Sequence, residues 1–260
     1  MRQINQNARW GAPKWASNFG RAMLNLLLPP QCLTCDAPVA DQGGLCVTCF
    51  SATNFLNGPA CVCCAVPFSH PGEGGAGRIC PHCAEAPPPW RHARAALRYD
   101  DAGRRLILPL KHADRTELAG SLAAMMARAG AGLLEAADVL VPVPLHPSRL
   151  RARGYNQSAL LARAIGRRRD VSVISDALVR LHPTHPLGEL SAVEREAAVK
   201  GVFAVRRGRG ALLKDRRVVL IDDVLTSGAT SAACTRVLLA AGARSVDVLV
   251  AARVPDPRLR

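Results

Sequence analysis

A chain of 260 residues with 49% apolar composition can bury one core of ordinary size and still leave residues for a smaller unit, which excludes disorder throughout. Aromatic residues make up only 4%, so the core is expected to be aliphatic. The formal charge of +14 favours polyanionic partners without naming one, because a solvated arginine-rich face has the same composition.

Residues 1–31 read as a polar leader with a short amphipathic piece at 19–28, which Pro29 and Pro30 must end because proline cannot continue a helix. That piece falls well short of the ~20 apolar residues a membrane span needs, and no apolar segment with a small-residue cleavage site follows the amino terminus. The expectation is a cytoplasmic protein with no membrane span. Its cysteines then meet reducing conditions, where metal binding is favoured over disulfides.

Residues 32–90 contain every cysteine but Cys234. They form four CxxC pairs: Cys32 with Cys35, Cys46 with Cys49, Cys61 with Cys64, and Cys80 with Cys83. A CxxC turn points two thiolates at one ion, and two turns complete the tetrahedral sulfur shell that zinc prefers, so about two structural Zn²⁺ ions are expected. Sequential pairing and crossed pairing both satisfy the spacing. Cys63 and Cys234 read as spares, and His70 and His82 as surface residues. Such a ribbon is a folding staple for a segment too small to bury a core, so metal loss is expected to unfold it and spare the carboxyl-terminal domain. Pro87, Pro88 and Pro89 form a stiff linker.

Residues 91–260 alternate apolar runs with helical stretches, the pattern of an α/β domain with a mostly parallel sheet. Strands are expected at 95–99, 139–143, 201–205, 217–221 and 246–251, with helices at 116–129, 157–168 and 231–241. The block from Val141 to Gln157 carries three prolines and the arginines Arg149, Arg151 and Arg153, and reads as a rigid cationic loop between strand and helix.

The run Val218-Val219-Leu220-Ile221 reads as a buried strand delivering Asp222 and Asp223 at its carboxyl end. Val224, Leu225, Thr226, Ser227, Gly228, Ala229 and Thr230 come next, and then a helix. This order suits a sugar phosphate: the turn offers backbone N–H groups and hydroxyls to a phosphate at a helix amino terminus, and the carboxylates accept hydrogen bonds from ribose hydroxyls. Gly228 lets the backbone approach the phosphate closely. The lysine of a Walker loop is missing from this turn.

Strand, two acids, two apolar residues and a Thr/Ser-Gly-x-Thr turn resemble the signature with which type I phosphoribosyltransferases bind phosphoribosyl diphosphate (PRPP). Together with the cysteine pairs they make the chain resemble the ComF family, the competence-protein-F and GntX-like proteins, from about Leu26 onward. The resemblance implies a double zinc ribbon joined to a phosphoribosyltransferase-type α/β fold. It also implies Mg²⁺ accompanying PRPP, catalytic roles for Asp222 and Asp223, and Lys111, Arg149 and Arg153 as positive charge near the leaving diphosphate. A mobile catalytic loop is implied within residues 180–203, where this chain has Leu187 and Ala198 in place of the usual Gln and Asn. The implied function is transfer of a 5-phosphoribosyl group to an unknown acceptor, linked to DNA uptake. Its rivals are a non-catalytic PRPP sensor that binds single-stranded DNA or a DNA-uptake helicase, and a purely structural adaptor.

Overall fold

The computed structural model describes residues 29–112, 115–183 and 192–255. The leader piece at 19–28, Leu187 and the first part of the expected loop lie outside them.

The ribbon carries two short helices, α1 (Val47–Ala52) and α2 (Pro81–Glu85). The α/β domain then runs β1 (Ala93–Arg98), α3 (Asp101–His112), α4 (Leu118–Ala129), α5 (Ala131–Glu135), β2 (Val139–Pro142), α6 (Pro147–Arg153) and α7 (Gln157–Arg169). It continues with β3 (Leu178–Arg180), α8 (Ala192–Val199), β4 (Phe203–Val205), β5 (Arg217–Leu225), α9 (Ala229–Ala240) and β6 (Ser245–Arg253).

Four strands form one parallel sheet in the order β1-β6-β5-β2, with Val139 opposite Val218, Leu220 opposite Val248 and Ala95 opposite Val250. β6 is buried along its whole length, as a central strand covered on both faces must be. The two-residue alternation of β5 splits the core. Val219 and Ile221 pack with Leu110, Leu122, Leu161 and Ile165 of α3, α4 and α7. Val218 and Leu220 pack with Cys234 and Leu238 of α9 and with Leu178 and Phe203.

Four expectations need correction. The strand expected at 201–205 is shorter and leaves the parallel sheet: β4 pairs antiparallel with β3 in a separate two-stranded sheet. β5 does not stop at Ile221, because Val224 and Leu225 still pair with Ala252 and Arg253, so both aspartates are strand residues. The cationic loop contains a helix, with Pro147 at its first position, His146 Nδ1 accepting from Ser148 N at 3.3 Å, and Gly154 at φ 79° ending it. α3 was not among the expected helices; it contains Gly103 and Pro109, and Lys111 is in its last turn.

The ribbon packs directly on the α/β domain. Leu56 N donates to Ala96 O at 2.9 Å, Arg98 N to Asn54 O at 2.8 Å and Ala93 N to Val62 O at 2.9 Å, so ribbon backbone covers the β1 edge of the sheet. Leu33 joins the α3/α4 side of the core and Ala65 the α9 side.

Candidate functional site

The cysteines group sequentially. Cys32, Cys35, Cys46 and Cys49 form one cluster and Cys61, Cys64, Cys80 and Cys83 the other, each with its sulfurs within 4.8 Å of one another. A zinc ion with bonds of about 2.3 Å holds its tetrahedral sulfurs about 3.8 Å apart. Cys35 and Cys46 Sγ are 3.7 Å apart, as are Cys64 and Cys80 Sγ. Backbone N–H groups complete each shell: Cys46 N donates to Cys32 Sγ and Cys80 N to Cys61 Sγ, both at 3.3 Å. In the second cluster, hydrogen bonds from the Cys64 and Cys83 thiols hold Cys61 far below the ordinary thiol range, while Cys61 and then Cys64 push Cys83 up. Four thiolates at this spacing need a cation between them, and the donor set fits two structural zinc ions.

The clusters are two copies of one knuckle. Gln31 bridges Pro38 as Ala60 bridges Pro67. Cys32 N donates to Ala37 O as Cys61 N does to Val66 O. Asp36 and Ala65, each just after a knuckle, both have positive φ. The repeat is visible in the sequence itself: Pro30-Gln-Cys32-Leu-Thr-Cys35-Asp-Ala-Pro38 matches Pro59-Ala-Cys61-Val-Cys-Cys64-Ala-Val-Pro67.

A polar cluster sits at the carboxyl end of β5. Asp223 Oδ2 accepts from Gln157 Nε2 at 3.0 Å and lies 3.1 Å from Lys111 Nζ. Gln157 Oε1 in turn accepts from Arg153 NH1 at 2.6 Å. Asp222 Oδ1 accepts from Ser158 Oγ and from Asp223 N, both at 2.9 Å. The start of α7 is fixed here by Asn156, whose Oδ1 accepts from Ser158 N at 2.9 Å while its Nδ2 donates to Val143 O at 2.9 Å. Tyr155 Oη donates to Leu110 O at 2.7 Å and holds the end of α3 close by.

Asp222 reaches solvent with part of its surface, yet burial of its carboxylate, and next the charge of Asp223, raise its pKa from 3.8 to about 7. On the α9 face, Arg180 is 9% exposed and its guanidinium carbon lies 5.3 Å from the Phe203 ring centre. Burial, then the charge of Arg149, lower the pKa of Arg180. Burial pushes the Cys234 thiol well up, so it is not a ready nucleophile.

Thr226 and Ser227 are exposed, and α9 begins at Gly228 with no side-chain cap on its first N–H groups. Gly228 has φ 85°, and a Cβ there would meet Trp90 Cη2 at 2.8 Å. The glycine is therefore required by backbone conformation and by a tryptophan beneath the turn, in addition to any ligand.

The structure thus brings Asp222, Asp223, Lys111 and Arg153 into one cluster next to the turn from Thr226 to Thr230, with Arg149 electrostatically linked to Arg180. Sequence reasoning misses Gln157, Ser158, Arg180 and Trp90. Gln157 and Ser158 look like an ordinary helix start, and nothing local in the sequence signals their partners. Ala198 is partly buried in α8.

A family model described as a double zinc ribbon domain matches residues 23–84. The DNA utilization protein YhgH of Escherichia coli (strain K12) is 32% identical over 230 residues, covering 86% of this chain and 96% of that protein. Competence protein F of Haemophilus influenzae is 32% identical over 120 residues, 46% of this chain and 52% of that protein. A solved hypoxanthine phosphoribosyltransferase from Staphylococcus aureus superposes with a TM-score of 0.36 and 17% identity, over 54% of this chain and 65% of that one, a likeness from which neither activity nor ligand follows. Among the described residues no helix is long and apolar enough to cross a membrane.

Proposed function

Because this chain belongs to the ComF family, we propose that its α/β domain binds PRPP at the carboxyl end of β5 and transfers the 5-phosphoribosyl group to an acceptor of unknown identity. The observation that carries this reading is the pair Asp222 and Asp223 near the end of β5, followed by a short turn into an uncapped helix amino terminus. The free N–H groups of the turn receive the 5-phosphate, and the two carboxylates receive the ribose hydroxyls.

In the reaction, a nucleophilic atom of the acceptor bonds to the anomeric carbon as the bond from that carbon to the diphosphate oxygen breaks. Diphosphate leaves with its Mg²⁺, which arrives as part of the substrate. Negative charge grows on the leaving group, so Arg149 and Arg153, at the start and end of α6, supply the stabilisation. Lys111 rests on Asp223 without ligand and becomes available to the diphosphate once ribose hydroxyls take over that carboxylate. The setting is a reducing cytoplasm, which keeps the ribbon thiolates intact.

Isothermal calorimetry with Mg²⁺ and PRPP tests the reading. Wild type should bind, and replacing both Asp222 and Asp223 by Asn should weaken binding at least about tenfold, since each charge-assisted bond contributes roughly 1.5–3 kcal/mol. Equal binding by the double variant puts the site elsewhere, and no binding by wild type removes the enzyme reading.

A second reading, in which the PRPP site serves as a sensor on a protein that grips single-stranded DNA, is favoured by one observation. A cleft of about 440 Å³ between the ribbon and β1 is lined by Arg78, Arg94 and Arg128 with no carboxylate, and a neighbouring cleft of about 360 Å³ shares Arg128 and adds Arg168 and Arg169. Burial, then repulsion from Arg78, lower the pKa of Arg94, a cost that a backbone phosphate relieves. Anisotropy with a labelled oligonucleotide across a salt series should give affinity that falls steeply with salt. Failure to bind even at low ionic strength removes this reading.

A further inference from the structure

Arg253 is the last residue of β6 and is only 8% exposed, and among the described residues its guanidinium hydrogen-bonds to backbone carbonyls. Nε donates to Cys64 O at 2.8 Å. NH1 lies within hydrogen-bonding distance of Leu225 O at 3.2 Å, Thr226 O at 2.9 Å and Val254 O at 2.6 Å. One planar group therefore joins the second cysteine knuckle to the turn that follows β5. Trp90 makes a parallel connection: its Nε1 donates to Cys63 O at 2.6 Å, and its ring lies against Gly228 at the other end of the same turn.

The two carbonyls that anchor these side chains, Cys63 O and Cys64 O, belong to the knuckle whose sulfurs are Cys61 and Cys64. Their direction is set by the loop that the sulfurs close. If that loop opens, Arg253 is left with a buried, unsatisfied guanidinium N–H and Trp90 with an unsatisfied indole N–H. Both side chains then move, and the turn they support moves with them. The first cluster has no such path among the contacts of the described residues. Its knuckle meets the α/β domain through Leu33, which packs in the α3/α4 core and whose carbonyl accepts from Arg115 NH1 at 3.4 Å, on the side away from α9.

We infer that Arg253 and Trp90 are positioning residues that make the second cysteine cluster the support of the turn from Leu225 to Gly228, so that loss of that cluster, and not of the first, disables the phosphate-facing turn. The consequence for PRPP rests on the function proposed above; the mechanical coupling does not.

The test uses the full chain loaded with zinc and two measurements. Hydrogen exchange is followed without ligand over residues 225–234, with residues 248–251 of β6 as the internal reference, and calorimetry with Mg²⁺ and PRPP is run on the same samples. Arg253→Lys keeps the charge but not the fork, and Trp90→Phe keeps the ring but not the N–H. Each should speed exchange over 225–234 at least tenfold with the reference changed less than twofold, and weaken PRPP at least fivefold. Cys80→Ser should do the same, whereas Cys35→Ser should leave exchange over 225–234 within twofold of wild type. Unchanged exchange in Arg253→Lys and Trp90→Phe overturns the inference, as does acceleration that is equal in the turn and in the reference. If a cysteine variant does not fold, the Arg253 and Trp90 variants decide alone. If wild type binds no PRPP, the functional reading falls while the exchange data still decide the coupling.

Discussion

Lys111 Nζ lies 3.1 Å from Asp223 Oδ2, with the two side chains 21% and 7% exposed, so the last turn of α3 is pinned to the end of β5 by a largely buried ion pair. Removing only the lysine leaves a buried carboxylate with Gln157 as its remaining side-chain partner. Lys111→Met should therefore cost about 2–3 kcal/mol, below the ~3–5 kcal/mol of a fully buried broken pair because Lys111 keeps some solvent. Adding Asp223→Asn should restore more than half of that. Urea denaturation of the two singles and the double gives the coupling, and additive effects would mean that the pair does not interact.

Asp222 makes stability depend on pH. Its folded pKa of about 7 exceeds the ordinary 3.8, so between those values the folded chain holds a proton that the unfolded chain has released. Stability contributed by this group is thus present at acid pH, falls as pH rises from about 4 to about 7, and stays lost above. Asp222→Asn should flatten that part of the melting profile and raise Tm by a few degrees at pH 8 while weakening PRPP. A variant less stable than wild type at pH 8 would show that the carboxylate is ionised at no cost.

Zinc supports both parts of the chain. Elemental analysis of protein prepared under reducing conditions should find about two zinc ions per chain. Because ribbon backbone covers the β1 edge and Leu33 and Ala65 pack into the two cores, chelation should lower the melting temperature of the α/β domain as well. Calorimetry showing loss of a small ribbon transition with an unchanged main one would mean that the two parts are independent.

Gly228→Ala meets two obstacles, a φ of 85° and the Trp90 ring 2.8 Å from the new Cβ. The left-handed backbone alone costs roughly 1–2 kcal/mol, so the total should exceed that. Trp90→Leu should cost less in the Gly228→Ala background than in wild type, because there it also removes the clash, though not the backbone term. Chemical denaturation checks both, and a Gly228→Ala variant as stable as wild type would deny the close packing under the turn.

Chemistry that is local along the chain is legible in the residues alone. Four CxxC pairs specify two sulfur-ligated ions because each pair is a turn of fixed geometry. The run from Val218 through Asp223 to Gly228 specifies a buried strand, two acids and a helix start because those properties depend on neighbours a few residues away. The knuckle repeat around Pro30 and Pro59 is equally open to reading. Folding in three dimensions was needed to settle which cysteine pairs share an ion, that β5 runs on to Leu225, and that Lys111, Gln157 and Ser158 meet the two aspartates. It also brought Trp90, just after the proline linker, and Arg253, two residues past the strand expected at 246–251, beneath the same turn. A hydrogen bond or ion pair between distant segments leaves no trace in spacing or periodicity. Such partners are chosen by how the sheet order β1-β6-β5-β2 and the ribbon packed on its edge bring chain segments together.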